Sequence, residues 1–312
     1  MSAIGRSAPI FVAGHRGMVG SAIVRRLAAE GYSHILTATR QEVDLRDRRA
    51  VNSFLAATRP AYIFIAAAKV GGILANAKQP ADFIADNLAI ALNLIEGAHR
   101  AGVERLMFLG SSCIYPRDCP QPIREDYLLT GPLEPTNAPY AIAKIAGIAM
   151  CDAFNRQHGR RYVSVMPTNL YGTGDNYDLA TSHVLPALIR KAHEAKLAGA
   201  PALTLWGTGT PRREFLHADD LADACVYLME AGYDGPLLNI GTGEDLSIRE
   251  LAGLVCRVVG YGGEIALDQT KPDGTPRKLL DVSRLHALGW RHRIGLEEGV
   301  ARAYADFLGS AG

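Results

Sequence analysis

The sequence predicts an α/β protein built on a doubly wound parallel sheet, with a smaller, discontinuous α/β lobe in its C-terminal half. Three observations predict it. Short β-branched or apolar runs alternate with longer amphipathic segments through the first half. The first of these runs leads directly into a glycine-spaced loop and a helix. After about Asn169 the alternation loosens, and the 312 residues exceed one compact core without filling two.

The elements follow in order. Runs at 9–13, 35–38, 62–66, 106–109 and 162–166 read as strands, and segments 18–30, 48–58, 80–101 and 140–158 as helices. In such sheets ligands bind beyond the carboxyl ends of the strands. Residues 170–182, rich in Gly, Asp, Asn, Thr and Tyr, read as a mobile or ligand-shaped loop. A helix is expected at 183–198 and a strand at 203–206, followed by the turn GTGTPRR. Segments 219–231 and 237–240 supply one more helix and strand for the main sheet. A helix at 247–260 closes on Gly260, and DQTKPDGTPRK is a polar loop carrying several cations.

Composition narrows the partners. With 33 Lys+Arg against 32 Asp+Glu, no global basic field draws nucleic acid or an anionic membrane. An anionic ligand must be held by local cations. The cysteines Cys113, Cys119, Cys151, Cys225 and Cys256 are odd in number and form neither a C-x-x-C pair nor zinc-ligand spacing, so reduced thiols and no metal are expected. The N-terminal apolar stretch is too short for a signal peptide, and no apolar run is long enough to span a bilayer. A cytoplasmic location is the corresponding expectation.

The first strand enters Gly14-His15-Arg16-Gly17-Met18-Val19-Gly20. This is G-x-x-G-x-x-G between a strand and a helix, the arrangement of a Rossmann dinucleotide site. The first glycine permits the tight turn, the second lets backbone approach a pyrophosphate, and the third lets helix pack on strand. The diphosphate then sits on a helix N-terminus, where unpaired N–H groups favour anions. An acid usually ends the second strand and bonds the ribose hydroxyls. Here Arg40 stands there, with Arg16 available from the loop. Two guanidinium groups suit a 2′-phosphate, which points to NADPH. Asp44-Leu45 are placed to hold the adenine. Residues 1–170 therefore read as the NADP-binding domain, completed by about 214–242, with 171–312 mainly a substrate lobe.

Tyr140-Ala-Ile-Ala-Lys144 opens a helix, and a spacing of four puts both side chains on one face. An ammonium beside a phenol stabilises phenolate, so the Tyr140 pKa is expected to fall. The fourth strand ends at Leu109-Gly110, followed by Ser111-Ser112-Cys113. A hydroxyl there donates to a substrate oxygen as charge develops on it. Ser111, Tyr140 and Lys144 thus form a set of polariser, proton donor and tuner, with Lys144 also holding the nicotinamide ribose.

With these motifs the chain resembles the extended short-chain dehydrogenase/reductases. The segments AGHRGMVGSAI, AAAKVGGI, FLGSSCIYP, EPTNAPYAIAKIAGI, SVMPTNLYG, SHVLPAL, WGTGTPRREFLH and KPDGTPRKLLD carry the resemblance over nearly the whole chain. They are similar to the branch that converts GDP-4-keto-6-deoxy-D-mannose to GDP-L-fucose by 3,5-epimerisation and NADPH-dependent 4-reduction. The resemblance implies that Ser111 and Tyr140 hold O4 and that Tyr140 protonates it. It makes Cys113 the base and His183, in SHVLP, the proton donor for epimerisation. His183 is also implied on the cofactor side, with Leu109, Gly110, Pro167, Asn169 and Leu170. Lys191, Trp206, Arg213, Asp273 and Lys278 match positions that contact the GDP part. Lys191 departs from the arginine that also occurs there, keeping charge but losing bidentate geometry.

Three other readings remain. A sugar-nucleotide 4,6-dehydratase needs an acidic pair where Ser111-Ser112-Cys113 offers none. A reductase or epimerase of a related GDP-keto-sugar, such as a heptose, fits the same motifs. A non-catalytic NADP sensor is disfavoured by the presence of both Tyr140 and Lys144. The apolar helices 80–101 and 140–158 suggest a homodimer through a four-helix contact, by analogy with extended members.

Overall fold

The structure, a computed structural model, describes residues 4–310 except Pro272. The first half runs β1 (Ile10–Ala13), α1 (Met18–Ala29), β2 (Ile35–Leu36), α2 (Arg48–Thr58), β3 (Tyr62–Ile65), α3 (Ile73–Lys78), α4 (Pro80–Arg100), β4 (Arg105–Leu109), α5 (Ala138–His158) and β5 (Arg161–Pro167). The second half runs β6 (Asn169–Tyr171), α6 (Val184–Leu197), β7 (Ala202–Trp206), β8 (Arg212–Arg213), β9 (Phe215–His217), α7 (Ala218–Glu230), β10 (Leu238–Ile240), β11 (Leu246–Ser247) and α8 (Ile248–Val259). It closes with β12 (Glu264–Asp268), β13 (Arg277–Lys278), α9 (Ser283–Ala287) and α10 (Leu296–Ser310).

Six strands form one sheet in the order β10-β5-β4-β3-β1-β2. All their pairings are parallel. The chain leaves β1 toward β2 on one side and returns to β3 on the other. That reversal opens a crevice at the carboxyl ends of β1 and β3, where α/β sheets bind ligands.

Burial on both faces explains the unbroken apolar runs. Ile10 and Val12 of β1 meet Ile23 and Leu27 of α1 and Leu221 and Leu228 of α7. Their neighbours Phe11 and Ala13 face Val51 and Leu55 of α2, Leu94 of α4 and Ile148 of α5. Each fully buried Ile, Leu or Phe contributes about 1.5–3 kcal/mol, so loss of this alternation would remove the layer. A third cluster packs Leu188 of α6, Val255 of α8 and Val300 and Phe307 of α10 around the second lobe.

Local chemistry sets the helix ends. The Asp47 carboxylate accepts from Arg49 N and Ala50 N at the start of α2. Ser247 and Glu250 form a reciprocal capping box on α8, which stops at Gly260 in the left-handed region, φ 75°.

The second half differs from expectation at β6 and at its C-terminal end. Segment 170–182 is the expected loop, tied by hydrogen bonds within it. The Asp178 carboxylate accepts from Ala180 N, Thr181 N and Thr181 Oγ1, while Gly174 N donates to Asp306. Its polar residues satisfy one another, so their composition does not signal an open chain. Its first residues also belong to β6, which pairs with β9 and is too short to show a period. No element is expected over 279–312, yet α9 and α10 lie there. Val300, Ala303 and Phe307 are buried at helical spacing, a period that identifies α10. No helix among the described residues is long and apolar enough to cross a membrane.

Candidate active site

The carboxyl ends of the strands open into one continuous cleft of about 1920 Å³, and every candidate residue named from the sequence lines it. The cleft runs from the glycine loop, past the end of β4, to the second lobe.

At the glycine end, the three glycines have different causes. Gly14 has φ +89°, and a Cβ there would lie 2.8 Å from the Ala67 backbone. A Cβ on Gly20 would lie 2.1 Å from the Gly14 carbonyl oxygen, so α1 packs on the loop only without it. At Gly17 the nearest protein atom would be 3.5 Å away, an ordinary contact. Nothing in the protein requires glycine there except the openness of the cleft beside it. Gly17 begins α1 with no capping side chain and no acid in the first turn. Met18, Val19 and Gly20 thus start a helix whose N-terminus faces the cleft, a place that favours an anion.

Arg16 and Arg40 lie exposed beside it. The Arg40 side chain is 70% accessible, and its Nε stands 3.5 Å from Asp44. Asp44 is gripped by Arg46 at 2.7 Å, which also reaches Asp86 at 3.1 Å. The Arg46 hydrogen bonds hold the Asp44 carboxyl far below the usual carboxylate range. The Leu45 carbonyl is fixed by Asn93 Nδ2 at 3.0 Å.

At the middle, β4 delivers Leu109 and Gly110 against β5. A side chain at Gly110 would strike Met166. Ser111 follows, and its Oγ accepts from Cys113 N at 3.3 Å, capping the short turn Ser112–Ile114. Tyr140 sits in the first turn of α5, just after Pro139. One turn on, Lys144 is only 4% accessible. Its Nζ donates to the Leu109 carbonyl at 2.7 Å and lies 5.9 Å from the Tyr140 ring centroid. The two side chains share a helical face, as the spacing requires.

Their electrostatics correct one expectation. Burial lowers the Lys144 pKa to about 8. Burial also pushes the Tyr140 phenol up, the neighbouring Cys113 adds to the rise, and the Ser111 hydroxyl opposes it. The phenol is therefore not tuned downward in the chain by itself. The Lys144 ammonium is directed at a backbone carbonyl, and desolvation is the largest influence on the phenol.

Cys113 has a cation beside it, since Lys278 Nζ donates to its sulfur at 3.7 Å. In β13, Lys278 is in register with Arg213 of β8. Burial lowers the Arg213 pKa, opposed by Cys113. Arg213 Nη1 donates to the Arg212 carbonyl. His183 precedes α6 and makes no capping bond. Desolvation lowers its pKa and Lys278 lowers it further, and the side chain lines the cleft. Pro167, Asn169 and Leu170 line the floor beyond β5, with Asn169 Nδ2 donating to the Glu214 carbonyl at 2.8 Å.

At the outer end Trp206 is 57% accessible. A side chain so exposed does not pack into the core. Lys191 Nζ stands 5.4 Å from its ring centroid and Lys271 Nζ 5.7 Å. Asp273 lines the cleft here as well. Its carboxylate takes Thr208 N at 2.9 Å and Thr208 Oγ1 at 2.7 Å, holding the turn after Trp206.

Several lining residues escaped the sequence reading. Ala66, Ala67 and Ala68 follow β3, and Arg46, Asp86 and Arg277 also line the cleft. The rule that strand ends face the ligand pointed to the alanines, but side chains without functional groups gave no chemical signal. Arg46 and Asp86 are joined only by folding.

The comparisons agree with this geometry. Residues 10–241 match the NAD dependent epimerase/dehydratase family. A GDP-L-fucose synthase of Sinorhizobium fredii is 56% identical, covering 96% of this chain and 95% of that protein. The GDP-L-fucose synthase of Escherichia coli is 55% identical, covering 96% of each. Among solved structures, a GDP-mannoheptose C4 reductase from Campylobacter jejuni with NADP bound superposes with a TM-score of 0.90. It is 37% identical and covers 98% of this chain and 99% of that one. With its glycine loop, strand-end serine and Tyr140/Lys144 pair on one parallel sheet, the chain belongs to the NAD dependent epimerase/dehydratase family.

Proposed function

We propose that the chain converts GDP-4-keto-6-deoxy-D-mannose into GDP-L-fucose by 3,5-epimerisation followed by NADPH-dependent reduction at C4. The observation that carries this is the meeting of Tyr140, Ser111 and Cys113, which influence one another electrostatically, with His183 and Lys278 across the cleft. The identity of 55–56% to GDP-L-fucose synthases supports the substrate.

The residues at the glycine end fit a dinucleotide phosphate. Gly17 leaves the cleft open, the α1 N-terminus is uncapped, and Arg16 and Arg40 supply positive charge for a 2′-phosphate. NADPH, when bound, supplies the hydride for C4. Ser111 and Tyr140 hold O4, and the Tyr140 phenol, protonated at neutral pH, delivers its proton there. A C4 ketone acidifies the C–H bonds at C3 and C5, so the same two donors stabilise the enolate. Cys113 takes the proton from carbon, and His183 returns one on the opposite face. Arg213 and Lys278 hold the diphosphate, while Lys191 and Trp206 receive the nucleoside. Lys144 keeps its ammonium between Leu109 and Tyr140 and orients the ribose.

The test supplies purified protein with GDP-4-keto-6-deoxy-D-mannose and NADPH and identifies the product by NMR. GDP-L-fucose with stoichiometric NADPH loss is expected. Reduction without inversion at C3 and C5 would overturn the epimerase half. Preference for a GDP-keto-heptose would favour the second reading, suggested by the likeness to the heptose reductase.

The same proposal includes a homodimer in the cytoplasm. Leu88 and Leu92 of α4 and Ile142 of α5 are exposed on adjoining helices, which leaves an apolar face for a second copy. All five cysteines are free, which suits a reducing compartment. Light scattering should give twice the chain mass, reduced to one by Leu92→Glu with Ile142→Glu.

A further inference from the structure

Two loops lining the cleft meet each other. One follows β3 and ends at Gly72, the residue that starts α3. The other is the loop after β6 that leads into His183. Gly72 N donates to the Thr181 carbonyl at 3.0 Å. A Cβ on Gly72 would lie 2.9 Å from the Ser182 carbonyl oxygen and 3.2 Å from that of Thr181. Both are backbone atoms and cannot rotate aside, so the approach depends on glycine.

Each partner is braced from behind. The Gly72 carbonyl accepts from Asn76 N and from Asn76 Nδ2, each at 3.1 Å, and Asn76 is buried. Asn76 Nδ2 also donates to the Gly71 carbonyl at 2.8 Å. Across the junction, Asp178 holds Thr181 through its carboxylate, and its carbonyl accepts from Ser182 N at 2.8 Å. A chain of contacts thus runs from Asn76 through Gly72 and Thr181 to Asp178. His183 follows Ser182 directly.

We propose that Gly72 is a positioning residue for His183. Resting on the epimerase reading above, this makes Gly72 the point that references the proton-returning imidazole to the strand-end residues. Ser111 and Cys113 follow β4, which pairs directly with β3. Tyr140 and Lys144 stand on α5, where Lys144 is held by the Leu109 carbonyl and Tyr140 meets Phe83 edge-on, a flexible side chain between it and the junction loop. Widening it displaces His183 relative to Cys113 and leaves the reducing pair in place. The loss therefore falls on proton return at C3 and C5, and not on C4 reduction.

The experiment separates the two steps in Gly72→Ala. Solvent deuterium incorporation at C3 and C5 is followed with NADP in place of NADPH. Product partition is followed with NADPH. Deuterium incorporation should fall at least about tenfold, with total ketone reduction within about threefold of wild type and unepimerised reduced sugar accumulating. Equal loss in both steps, or no loss in either, overturns the proposal. Asp178→Ala, which loosens the opposite side, should give the same split in weaker form and serves if Gly72→Ala does not fold. Hydrogen exchange of the Gly72 amide in ligand-free wild type gives a readout independent of the reaction. Protection supports the junction, and exchange as fast as an open loop overturns it. Wild type that makes no GDP-L-fucose yet protects this amide refutes the function and not the junction.

Discussion

The Lys278 ammonium lies 3.7 Å from the Cys113 sulfur, although 165 positions separate them in the chain. The same Lys278 charge disfavours protonation of His183. The proposed base and acid for the two faces of a sugar carbon are thus both in reach of one side chain's charge.

Removing the thiol should divide the reaction. Cys113→Ser should stop GDP-L-fucose formation, lowering epimerisation by about 10²–10⁴-fold, while reduction of the unepimerised ketone persists. NMR identification of the reduced sugar checks this. GDP-L-fucose at the normal rate would remove Cys113 from the base role.

Lys144 makes stability depend on pH. Its folded pKa, about 8, lies below the unfolded value, so the unfolded chain binds more protons between pH 8 and about 10.5. Stability from this group therefore rises with pH across that window. Wild type should gain about 2 kcal/mol relative to Lys144→Met between pH 7 and 9.5, measured by urea unfolding. A constant difference would mean that the ammonium is not desolvated.

Gly17 and Gly20 should respond in opposite ways to alanine. Gly20→Ala forces a Cβ against the Gly14 backbone and should cost about 1–3 kcal/mol of stability. Gly17→Ala meets ordinary contacts only and should keep its melting temperature, while NADPH affinity falls by about tenfold or more. Calorimetry and fluorescence titration distinguish the two.

Arg40 is exposed, and the acid it pairs with, Asp44, is already gripped by Arg46. Arg40→Ser should raise KM for NADPH by about tenfold, equivalent to ~1.4 kcal/mol, with KM for NADH changed less than threefold. Equal change for both cofactors would place Arg40 away from the 2′-phosphate.

Much of the site was legible because its parts are local. The glycine spacing, the strand-end Ser111 and the four-residue step from Tyr140 to Lys144 each depend on a few neighbouring residues. The unbroken apolar strands likewise signalled a sheet covered on both faces. Loop 170–182 was legible as a loop, but not its internal bonding, because hydrogen bonding within a loop and exposure to solvent select the same polar residues. β6 and β9 were hidden because three-residue strands gain their partners from the fold.

By itself the sequence determined the parallel sheet and the dinucleotide loop and named Ser111, Tyr140 and Lys144 as candidate reacting side chains, since periodicity and spacing act over one turn or one strand. Only the tertiary structure decided that Lys278 reaches Cys113, that Gly72 meets the His183 loop, and that desolvation raises Tyr140 while lowering Lys144. Those facts depend on distances and dielectric surroundings set by chain segments far apart, and Coulomb and steric forces act through space and not along the backbone.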